Sequence, residues 1–127
     1  MNRKIKFRIW DDYDKKMIHW NELLEKNLAN IFTIPSYNKW LMQYTGIHDK
    51  NGKEIYEEDV VKITNKNSKV IPIKPLIAQI VWSEEYLAYI LITTSVKDAF
   101  ENLGDYIDYD IEVIGNVFDN PELLGGE

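Results

Sequence analysis

The stretch QYTGIHDKNGKEIYEEDVV, residues 43–61, decides the fold, because a strong turn signal separates two segments of extended character within it. Asn51 and Gly52 form that signal, since both residue types accept the positive φ angles that a tight hairpin turn requires. The segment after the turn ends in β-branched residues, which favour a strand. We therefore predict that this stretch joins an N-terminal part of the chain to a C-terminal β part.

A run of three acidic residues, Glu57, Glu58 and Asp59, lies near the end of this stretch and raises the question of a metal or acid–base site. Successive side chains of an extended chain point to opposite sides, whereas Ca²⁺ needs oxygen ligands that converge from alternate loop positions. A solvated turn that enters a strand, with Asp59 accepting hydrogen bonds from local backbone N–H groups, is the simpler interpretation. We predict a structural joint without chemistry of its own.

Upstream of the joint, the segment KIKFRIW, residues 4–10, alternates basic and apolar side chains with the period of a half-buried strand. Together with MIHW, residues 17–20, it predicts a hairpin. The apolar spacing of ELLEKNLANIF, residues 22–32, predicts one helix that begins after the cap residue Asn21 and ends before Pro35. The N-terminal part is therefore expected to be a hairpin followed by a helix.

Downstream of the joint, LIAQIVW and LAYILIT are strongly β-prone and are joined by the polar segment SEEY, which predicts a hairpin over residues 76–93. The segment NKNSKVIPIKP, residues 65–75, predicts a long loop before it, because it is polar at first and contains two prolines. A short helix is predicted after Ser95, which has capping-box spacing to Asp98. The segment YDIEVIGNVFD, residues 109–119, predicts the last strand.

These elements predict a mostly β protein of the α+β class. Residues 1–42 are expected to form an N-terminal hairpin-helix subdomain. Residues 43–127 are expected to form a small SH3-like β-barrel with one or two short helices, since about four or five short strands suit a barrel of this size. A length of 127 residues suits one domain, so we predict that both subdomains form one compact structural unit.

Composition and charge argue against several classes of function. The chain contains no cysteine, which excludes disulfides, thiolate nucleophiles and zinc–sulfur sites and is typical of a reducing, cytoplasmic location. Its net charge of −6 disfavours non-specific binding to nucleic acid. No apolar run approaches the roughly 18 residues that span a bilayer, and the charged N-terminus lacks the apolar region of a secretory signal. We expect a cytoplasmic protein without membrane contact.

The sequence contains none of the common catalytic motifs. It has no Gly-x-Ser-x-Gly elbow and no glycine-rich phosphate loop. Its two histidines, His19 and His48, have no sequence neighbour suited to base catalysis. The acidic-aromatic segment around Asp105, Asp108 and Asp110 is typical of a loop with solvated carboxylates. We predict that the protein is not an enzyme and that it uses no cofactor and no metal.

The four tryptophans are the candidate anchors for a protein partner, because interface hot spots favour this residue type. They are Trp10, Trp20, Trp40 and Trp82. The partner is unknown, and a second copy of the chain is one alternative, since strand edges can pair between copies. The preferred hypothesis is therefore a non-enzymatic protein-interaction module.

The alternative hypothesis is a nucleic-acid-binding regulator that uses a small β-barrel. Lys4, Lys6 and Arg8 lie on one face of the first predicted strand, and Trp10 follows them, as in some nucleic-acid-binding strands. The same pattern is typical of a water-facing sheet edge that Lys and Arg protect from pairing, in which case Arg8 faces water. The acidity of the chain favours this second interpretation, so nucleic acid is the less preferred partner.

Three segments resemble the YopX family, which consists of small proteins of phages and prophages. They are KFRIWD, residues 6–11, the joint at residues 43–61, and IEVIGNVFDNPELL, residues 111–124. The resemblance implies a phage-encoded cytoplasmic accessory protein with no established activity and no catalytic residues to carry over. It also implies structural roles for the matching residues, which are Tyr44, Gly46, Gly52, Tyr56, Asp59, Gly115, Asn116 and Pro121.

One position departs from the pattern of this family. The family's usual sequence is close to IYEGDIV, with a glycine at the position that Glu58 occupies here. If that glycine has a positive φ angle, Glu58 has to bear conformational strain or adopt a relaxed variant of the turn. The backbone angle at Glu58 therefore distinguishes the two forms of the turn.

Overall fold

The structure is a computed structural model that describes residues 4–35, 39–64, 75–93 and 100–124. The predicted loop at residues 65–75 lies outside these ranges except for its last residue. The helix predicted after Ser95 begins outside them as well, but the described part of that segment is not an α-helix, because Phe100–Asn102 forms a strand and Leu103–Tyr106 a 3₁₀ turn. The described strands are β1 (Phe7–Asp11), β2 (Lys16–Ile18), β3 (Leu41–His48), β4 (Glu54–Tyr56), β5 (Asp59–Thr64), β6 (Leu76–Ser83), β7 (Ala88–Thr93), β8 (Phe100–Asn102) and β9 (Asp110–Asn116). The described α-helices are α1 (Trp20–Leu23) and α2 (Leu28–Thr33), and 3₁₀ turns cover Leu103–Tyr106 and Pro121–Leu124.

The strands form two antiparallel sheets. The first sheet has the order β2-β1-β3-β4, and the second sheet has the order β8-β7-β6-β5-β9. The predicted mostly β fold is confirmed, with a sheet that curls into a half-barrel, while the closer assignment to an SH3-like barrel stays a prediction. The proposed boundary between residues 42 and 43 falls inside β3, and the chain passes from the first sheet to the second between β4 and β5.

The first sheet is built around β1, whose alternating sequence places Ile9 against the helices. Ile9 packs with Leu23 of α1 and Ile31 of α2 in a small core. Because β1 pairs with β2 on one side and with β3 on the other, it is an inner strand. The interpretation of this strand as a sheet edge is therefore wrong.

The segment predicted as one helix forms two short helices instead. The Asn27 side chain accepts a hydrogen bond from the backbone N–H of Asn30 and caps α2, a role that the sequence analysis assigned to Asn21. A short polar side chain that binds nearby backbone competes with the helical hydrogen bonds, so Asn27 starts a new helix rather than continuing the first. The two helices contribute Leu23 and Ile31 to the core of the first sheet.

The joint contains the predicted turn at Asn51 and Gly52, and the strands beside it pair as β3 and β4. Gly52 has a φ angle of +84° and Gly46 has one of +97°, which is the left-handed region that glycine accepts most readily. Gly46 lies where the register of β3 against β4 shifts, between Tyr44 and His48. Glycine thus permits the irregular stretch of β3 just before the turn.

The second sheet holds the larger core, to which β4 contributes Ile55. The predicted hairpin is confirmed, since β6 pairs with β7 along its length and Trp82 lies opposite Tyr89. Burying the apolar side chains of this larger core removes a large apolar area from water, which is the main stabilising contribution to the fold. The buried members of this core are Ile55, Val61, Ile63, Ala78, Ile80, Leu91, Leu103 and Ile111.

The Asp49 side chain attaches the joint to the last strand. Its Oδ2 atom accepts a hydrogen bond from the backbone N–H of Val113 at 3.0 Å, and its Oδ1 atom accepts two further bonds from N–H groups of its own turn. The neighbouring N–H of Lys50 donates to the carbonyl oxygen of Ile111 at 2.8 Å. Burial raises the pKa of the Asp49 carboxyl, but the three N–H groups and Lys53 outweigh burial and hold that pKa below its ordinary value.

Candidate functional site

Arg8 and Asp59 form a buried ion pair at the centre of the joint. Arg8 Nη2 lies 2.8 Å from Asp59 Oδ1 and 3.1 Å from the Glu57 carbonyl oxygen, and the two charged side chains are 7% and 2% exposed. Asp59 Oδ2 accepts a bond from the Tyr56 N–H at 2.8 Å, as the sequence analysis predicted. The expectation that Arg8 faces water is wrong, because the face of β1 opposite Ile9 is covered by the joint. Asp59 itself is buried rather than solvated.

The two glutamates beside Asp59 bind separate partners. Glu57 Oε1 accepts a hydrogen bond from the Gln43 N–H at 2.6 Å, and Glu58 Oε2 accepts one from Gln79 Nε2 at 2.8 Å. Burial raises the pKa of both carboxyls above their ordinary value. The three carboxylates therefore do not converge, and the described residues contain no group of three or more His, Asp or Glu side chains that could hold a metal ion.

Glu58 adopts the strained form of the turn, with a φ angle of +69°. This left-handed conformation is uncommon for a residue with a Cβ atom and suits the glycine of the family pattern. The Glu58 N–H donates to the carbonyl oxygen of Ile80 at 2.8 Å, and its carbonyl oxygen accepts from the Val117 N–H at 3.0 Å. Hydrogen bonds to two other segments thus hold the strained residue in place.

A groove of about 600 Å³ lies between the β1–β2 hairpin, the two helices and Trp40. A volume of this size is typical of sites that bind small molecules or side chains of a partner. We call it the tryptophan groove, and its polar and aromatic lining consists of Trp10, Asp11, Asp12, Tyr13, Lys26, Asn27, Asn30, Lys39 and Trp40. Its apolar lining consists of Ile9, Ile18, Leu23 and Ile31.

Phe118 brings two of the predicted anchor tryptophans together at this groove. The Trp10 ring stacks on the Phe118 ring with centroids 5.2 Å apart, and the Trp40 ring meets it edge-on at 5.6 Å. Trp10 is only 6% exposed, whereas Trp40 is 38% exposed. Trp10 is therefore a buried ring that packs on Phe118, and Trp40 is the ring that a partner could cover.

The other two candidate anchors lie elsewhere. Trp20 is half-buried and packs against the Phe7 ring at a centroid distance of 6.1 Å. Trp82 lies on β6, is 40% exposed and meets the Tyr89 ring at 5.0 Å. The structure thus unites two of the four tryptophans and separates the remaining two from them.

The rim of the tryptophan groove carries charges of both signs. On the acidic side, Asp12 pairs with Lys15 at 2.7 Å and its pKa is lowered, chiefly by that hydrogen bond. On the basic side, Lys39 Nζ lies 5.1 Å from the centroid of the Trp40 ring, a cation–π contact. Neither Lys39 nor Lys26 makes an ion pair with any residue that the structure describes. Lys39 does act on Asp12 at longer range, where its charge helps to lower the pKa of that carboxyl.

A second, smaller hollow of about 250 Å³ lies beside β4, and we call it the cation pocket. It is lined by Lys6, Arg8, His19, Trp20, Asn21, Lys53, Glu54 and Tyr56. Lys6 Nζ forms an ion pair with Glu54 Oε2 at 2.7 Å, and Arg8 Cζ lies 4.8 Å from the centroid of the Tyr56 ring. Burial raises the pKa of Tyr56 to about 12, so its hydroxyl remains protonated at neutral pH.

The three predicted nucleic-acid contacts therefore have different surroundings. Lys6 and Arg8 line the cation pocket together with Lys53, a residue that the sequence analysis did not select. Lys4 is exposed and is not part of that lining. The alternation of β1 indicated one shared face but could not indicate that Glu54 and Asp59 would neutralise part of it.

The chain is a small antiparallel β protein with two hollows beside its first sheet. The sequence model of the family described as YopX protein matches residues 6–125, and the chain therefore belongs to the YopX family. A comparison with curated proteins gave no match. Among the helices of the described residues, none has the length and apolar character needed to cross a membrane.

A solved structure shares this fold. The crystal structure of protein EF1440 from Enterococcus faecalis is 23% identical in sequence, with a TM-score of 0.55. The match covers 97% of this chain and 99% of that chain. At this level of identity the similarity supports the architecture alone.

Besides Lys26, Lys39 and Lys53 of the two linings, sequence reasoning missed two residues that connect distant parts of the chain. Phe118 follows β9 and reaches the first sheet, and Asp49 connects the turn to β9. The segments that hold both residues were noticed as motifs, GNVFDNP and GIHDKNG. Their contacts link parts of the chain that are far apart in sequence, which no local pattern reveals.

Proposed function

We propose that the protein is a non-enzymatic interaction module whose tryptophan groove binds a segment of a partner protein. That segment presents an apolar or aromatic side chain to the groove and an acidic residue to Lys26 and Lys39. The observation that carries the proposal is the half-exposed Trp40 ring beside an apolar hollow, supported from behind by Phe118 and Trp10.

The physical chemistry of the groove favours such a partner. A tryptophan held by neighbouring rings loses little conformational freedom when a partner covers it, which is a property of interface hot spots. The cation–π contact between Lys39 and Trp40 holds the positive charge of Lys39 beside the opening of the groove. An acidic residue on the partner gains an ion pair there, and its apolar neighbour replaces water over Ile31 and Leu23.

Membership of the YopX family is consistent with a non-catalytic accessory role, and on the resemblance stated above we place the protein in the cytoplasm of a phage-infected or lysogenic bacterium. A second copy of the chain is the alternative partner. Size-exclusion chromatography with light scattering separates the two, because a dimer that dissociates on Trp40→Ala points to self-association through the groove.

Selection from a random peptide library tests the proposal. Peptides enriched on the wild-type protein are expected to contain an aromatic or large apolar residue next to Asp or Glu. Their affinity, measured by titration calorimetry, is expected to fall about 30-fold with Trp40→Ala, the loss typical of a hot spot.

Trp82→Ala is the matched control, since Trp82 is exposed to nearly the same extent but lies on the second sheet. Peptide binding is expected to remain within about twofold of wild type in this variant, because surface positions outside a hot spot contribute little. Enriched peptides that bind Trp40→Ala as tightly as wild type would remove the groove from consideration.

Nucleic-acid binding is the second candidate function and rests on Lys4, Lys6 and Arg8. Two of these charges already face carboxylates, Lys6 with Glu54 and Arg8 with Asp59, which reduces the attraction that they offer to a phosphate backbone. A gel-shift assay at low salt, where phosphate contacts are strongest, decides the matter. A retarded band that disappears with Lys4→Ala would support this function over the first.

A further inference from the structure

We infer that the segment bound by the tryptophan groove is the tip of the β6–β7 hairpin, residues 84–87, of a second copy of this chain. The inference rests on the proposed function of the groove and names its ligand. The tip has the sequence EEYL, so two acidic residues lie beside two large apolar ones. This is the combination of side chains that the proposed function requires of a partner.

The hairpin tip projects from the second sheet on a two-stranded ribbon. The pairing of β6 with β5 ends at Gln79, and the pairing of β7 with β8 ends at Ile90. Beyond these residues β6 and β7 pair with each other, and no third strand of the described ranges pairs with either of them. The Trp82 and Tyr89 rings meet across the ribbon at 5.0 Å and stiffen it. A turn on such a base reaches away from its own molecule.

Leu87 provides the observation that points to a contact. Its side chain is 75% exposed, and its φ angle is +51°, which lies in the left-handed region. A turn position with such an angle is usually occupied by glycine, asparagine or aspartate, which accept it at lower energy. Leucine therefore strains the backbone and leaves a large apolar side chain in water at the same position. A contact that buries this side chain offsets both penalties.

The charges of the tip and of the groove are complementary. Glu84 and Glu85 are exposed and form no ion pair with any residue that the structure describes, and the same holds for Lys26 and Lys39 on the rim of the groove. Asp12, on the acidic side of the rim, already has a lysine partner of its own. Opposite charges at an exposed rim orient an incoming partner more than they tighten its binding.

The groove has the dimensions of a turn rather than of one side chain. Its volume of about 600 Å³ exceeds that of a single leucine, and Tyr86, which is 55% exposed, lies next to Leu87 at the tip. Covering Trp40 and Ile31 with these side chains removes apolar surface of both molecules from water.

The tip and the groove are different surfaces of the molecule. None of the residues 84–87 lines the groove of its own molecule. A contact between two different surfaces leaves each molecule with one tip and one groove to offer, so such contacts close into a ring or continue as a filament.

Sedimentation velocity of the full chain measures this association. The average mass is expected to rise with concentration up to about 1 mM, the weak end of measurable affinities. Leu87→Gly is expected to weaken the association about 30-fold, the loss typical of a hot spot. Because glycine accepts a φ angle of +51° readily, this variant is expected to fold like wild type, which circular dichroism verifies. A wild-type chain that stays monomeric over the whole range would overturn the inference.

Ile107→Ser is the matched control for Leu87→Gly. Ile107 is also an exposed apolar residue of a turn with acidic neighbours, but it lies outside the hairpin. Its association is expected to stay within about twofold of wild type, because positions outside a hot spot contribute little. Equal losses in the two variants would indicate adhesion through any exposed apolar side chain and contradict a docked tip.

Mixing two defective variants identifies the two surfaces. Trp40→Ala keeps the tip and truncates the groove, whereas Leu87→Gly keeps the groove and truncates the tip. At a concentration at which wild type associates, each variant alone is expected to be monomeric, and the mixture is expected to form a heterodimer through the one intact contact. A mixture that remains monomeric would overturn the inference.

Nuclear magnetic resonance shows where this heterodimer forms. In isotope-labelled Leu87→Gly, the indole N–H signal of Trp40 is expected to shift when unlabelled Trp40→Ala is added. It is expected to stay in place when unlabelled Leu87→Gly is added, because that variant lacks the tip. A heterodimer that leaves the Trp40 signal unmoved would contradict docking in the groove.

Library peptides separate this inference from the proposed function. Peptides that bind the groove of Leu87→Gly, together with a wild-type chain that stays monomeric, would overturn the second copy as the ligand and leave the proposed function intact. Failure of both the peptides and the mixed variants would overturn the groove as a binding site together with its ligand.

Discussion

The two sheets of this protein differ in what their side chains do. Among the described residues, the core cluster under the second sheet contains eight buried side chains, including Ile55 of β4, and the cluster under the helices of the first sheet contains three. Further buried side chains of the first sheet lie outside both clusters, namely Trp10, Met42, Tyr44 and Tyr56. Both hollows are lined by the first sheet, its helices and the joint. The comparison teaches that the second sheet gathers its buried apolar side chains in one large cluster, whereas the first sheet divides them among smaller groups and leaves two hollows beside them.

The origin of the difference lies in what covers each sheet. The second sheet closes over apolar side chains from four of its strands, from Leu103 and from β4. The first sheet is covered by helices of four and six residues, which are too short to bury its face completely. Apolar residues such as Leu24 and Phe32 consequently remain exposed on these helices.

The largest expected effect comes from breaking the connection between the sheets. Asp59→Ala leaves the Arg8 charge buried without its partner and is expected to lower the free energy of unfolding by about 3–5 kcal/mol. Urea denaturation followed by tryptophan fluorescence measures the change. The double variant Arg8→Met with Asp59→Ala is expected to recover part of the loss, because no unpaired charge remains. A loss below about 1 kcal/mol for Asp59→Ala would contradict the role of the pair.

The next effect is the difference, about 2 kcal/mol, between matched truncations in the two cores. Ile80→Ala, at a fully buried position of the second sheet, is expected to cost about 4 kcal/mol. Ile31→Ala is expected to cost about 2 kcal/mol, because Ile31 borders the tryptophan groove and its removal enlarges an existing hollow rather than creating a closed cavity.

The same urea denaturation curves compare the two truncations, and hydrogen exchange provides a second measurement. Backbone amides of β1 and β2 are expected to exchange faster than those of β5 and β6, since local opening is easier where fewer apolar contacts are buried. Equal costs for the two variants, together with equal exchange in the two sheets, would remove the difference between the sheets.

The smallest effect concerns the strained residue between the sheets. Glu58→Gly is expected to raise the free energy of unfolding by about 1 kcal/mol, because glycine accepts the φ angle of +69° without a steric penalty. The loss of the hydrogen bond from Gln79 reduces the gain. Gln79→Ala alone measures that contribution, and a Glu58→Gly variant that is less stable than Gln79→Ala would contradict the strain.

Local patterns predicted much of this architecture. The β6–β7 hairpin, the first hairpin and the turn at Asn51 and Gly52 follow from alternation and turn chemistry within a few residues. The hydrogen bond from Tyr56 to Asp59 also spans only three residues. The family pattern gave strain at Glu58 as one of two alternatives, and the φ angle of +69° decides for it. Short-range physics therefore accounts for these features.

The site was much less predictable, because it depends on contacts between distant segments. Alternation alone placed Arg8 in water, and only its contact with Asp59, 51 residues further along the chain, explains its burial. The tryptophan groove likewise requires Phe118 to reach Trp10 from the end of β9. Asn27 is a local capping signal, but apolar spacing alone could not show whether it starts a second helix or lies inside one continuous helix.

The Asp49 turn has a consequence for how molecules of this protein behave at high concentration. β9 is the outermost strand of the second sheet, and the N–H of Val113 and the carbonyl oxygen of Ile111 are already bonded to Asp49 and Lys50. A carboxylate and a single amide thus stand in for an additional strand and occupy the positions that an incoming chain would use. The turn therefore hinders the pairing of another chain with this edge of the sheet, which is a route to aggregation.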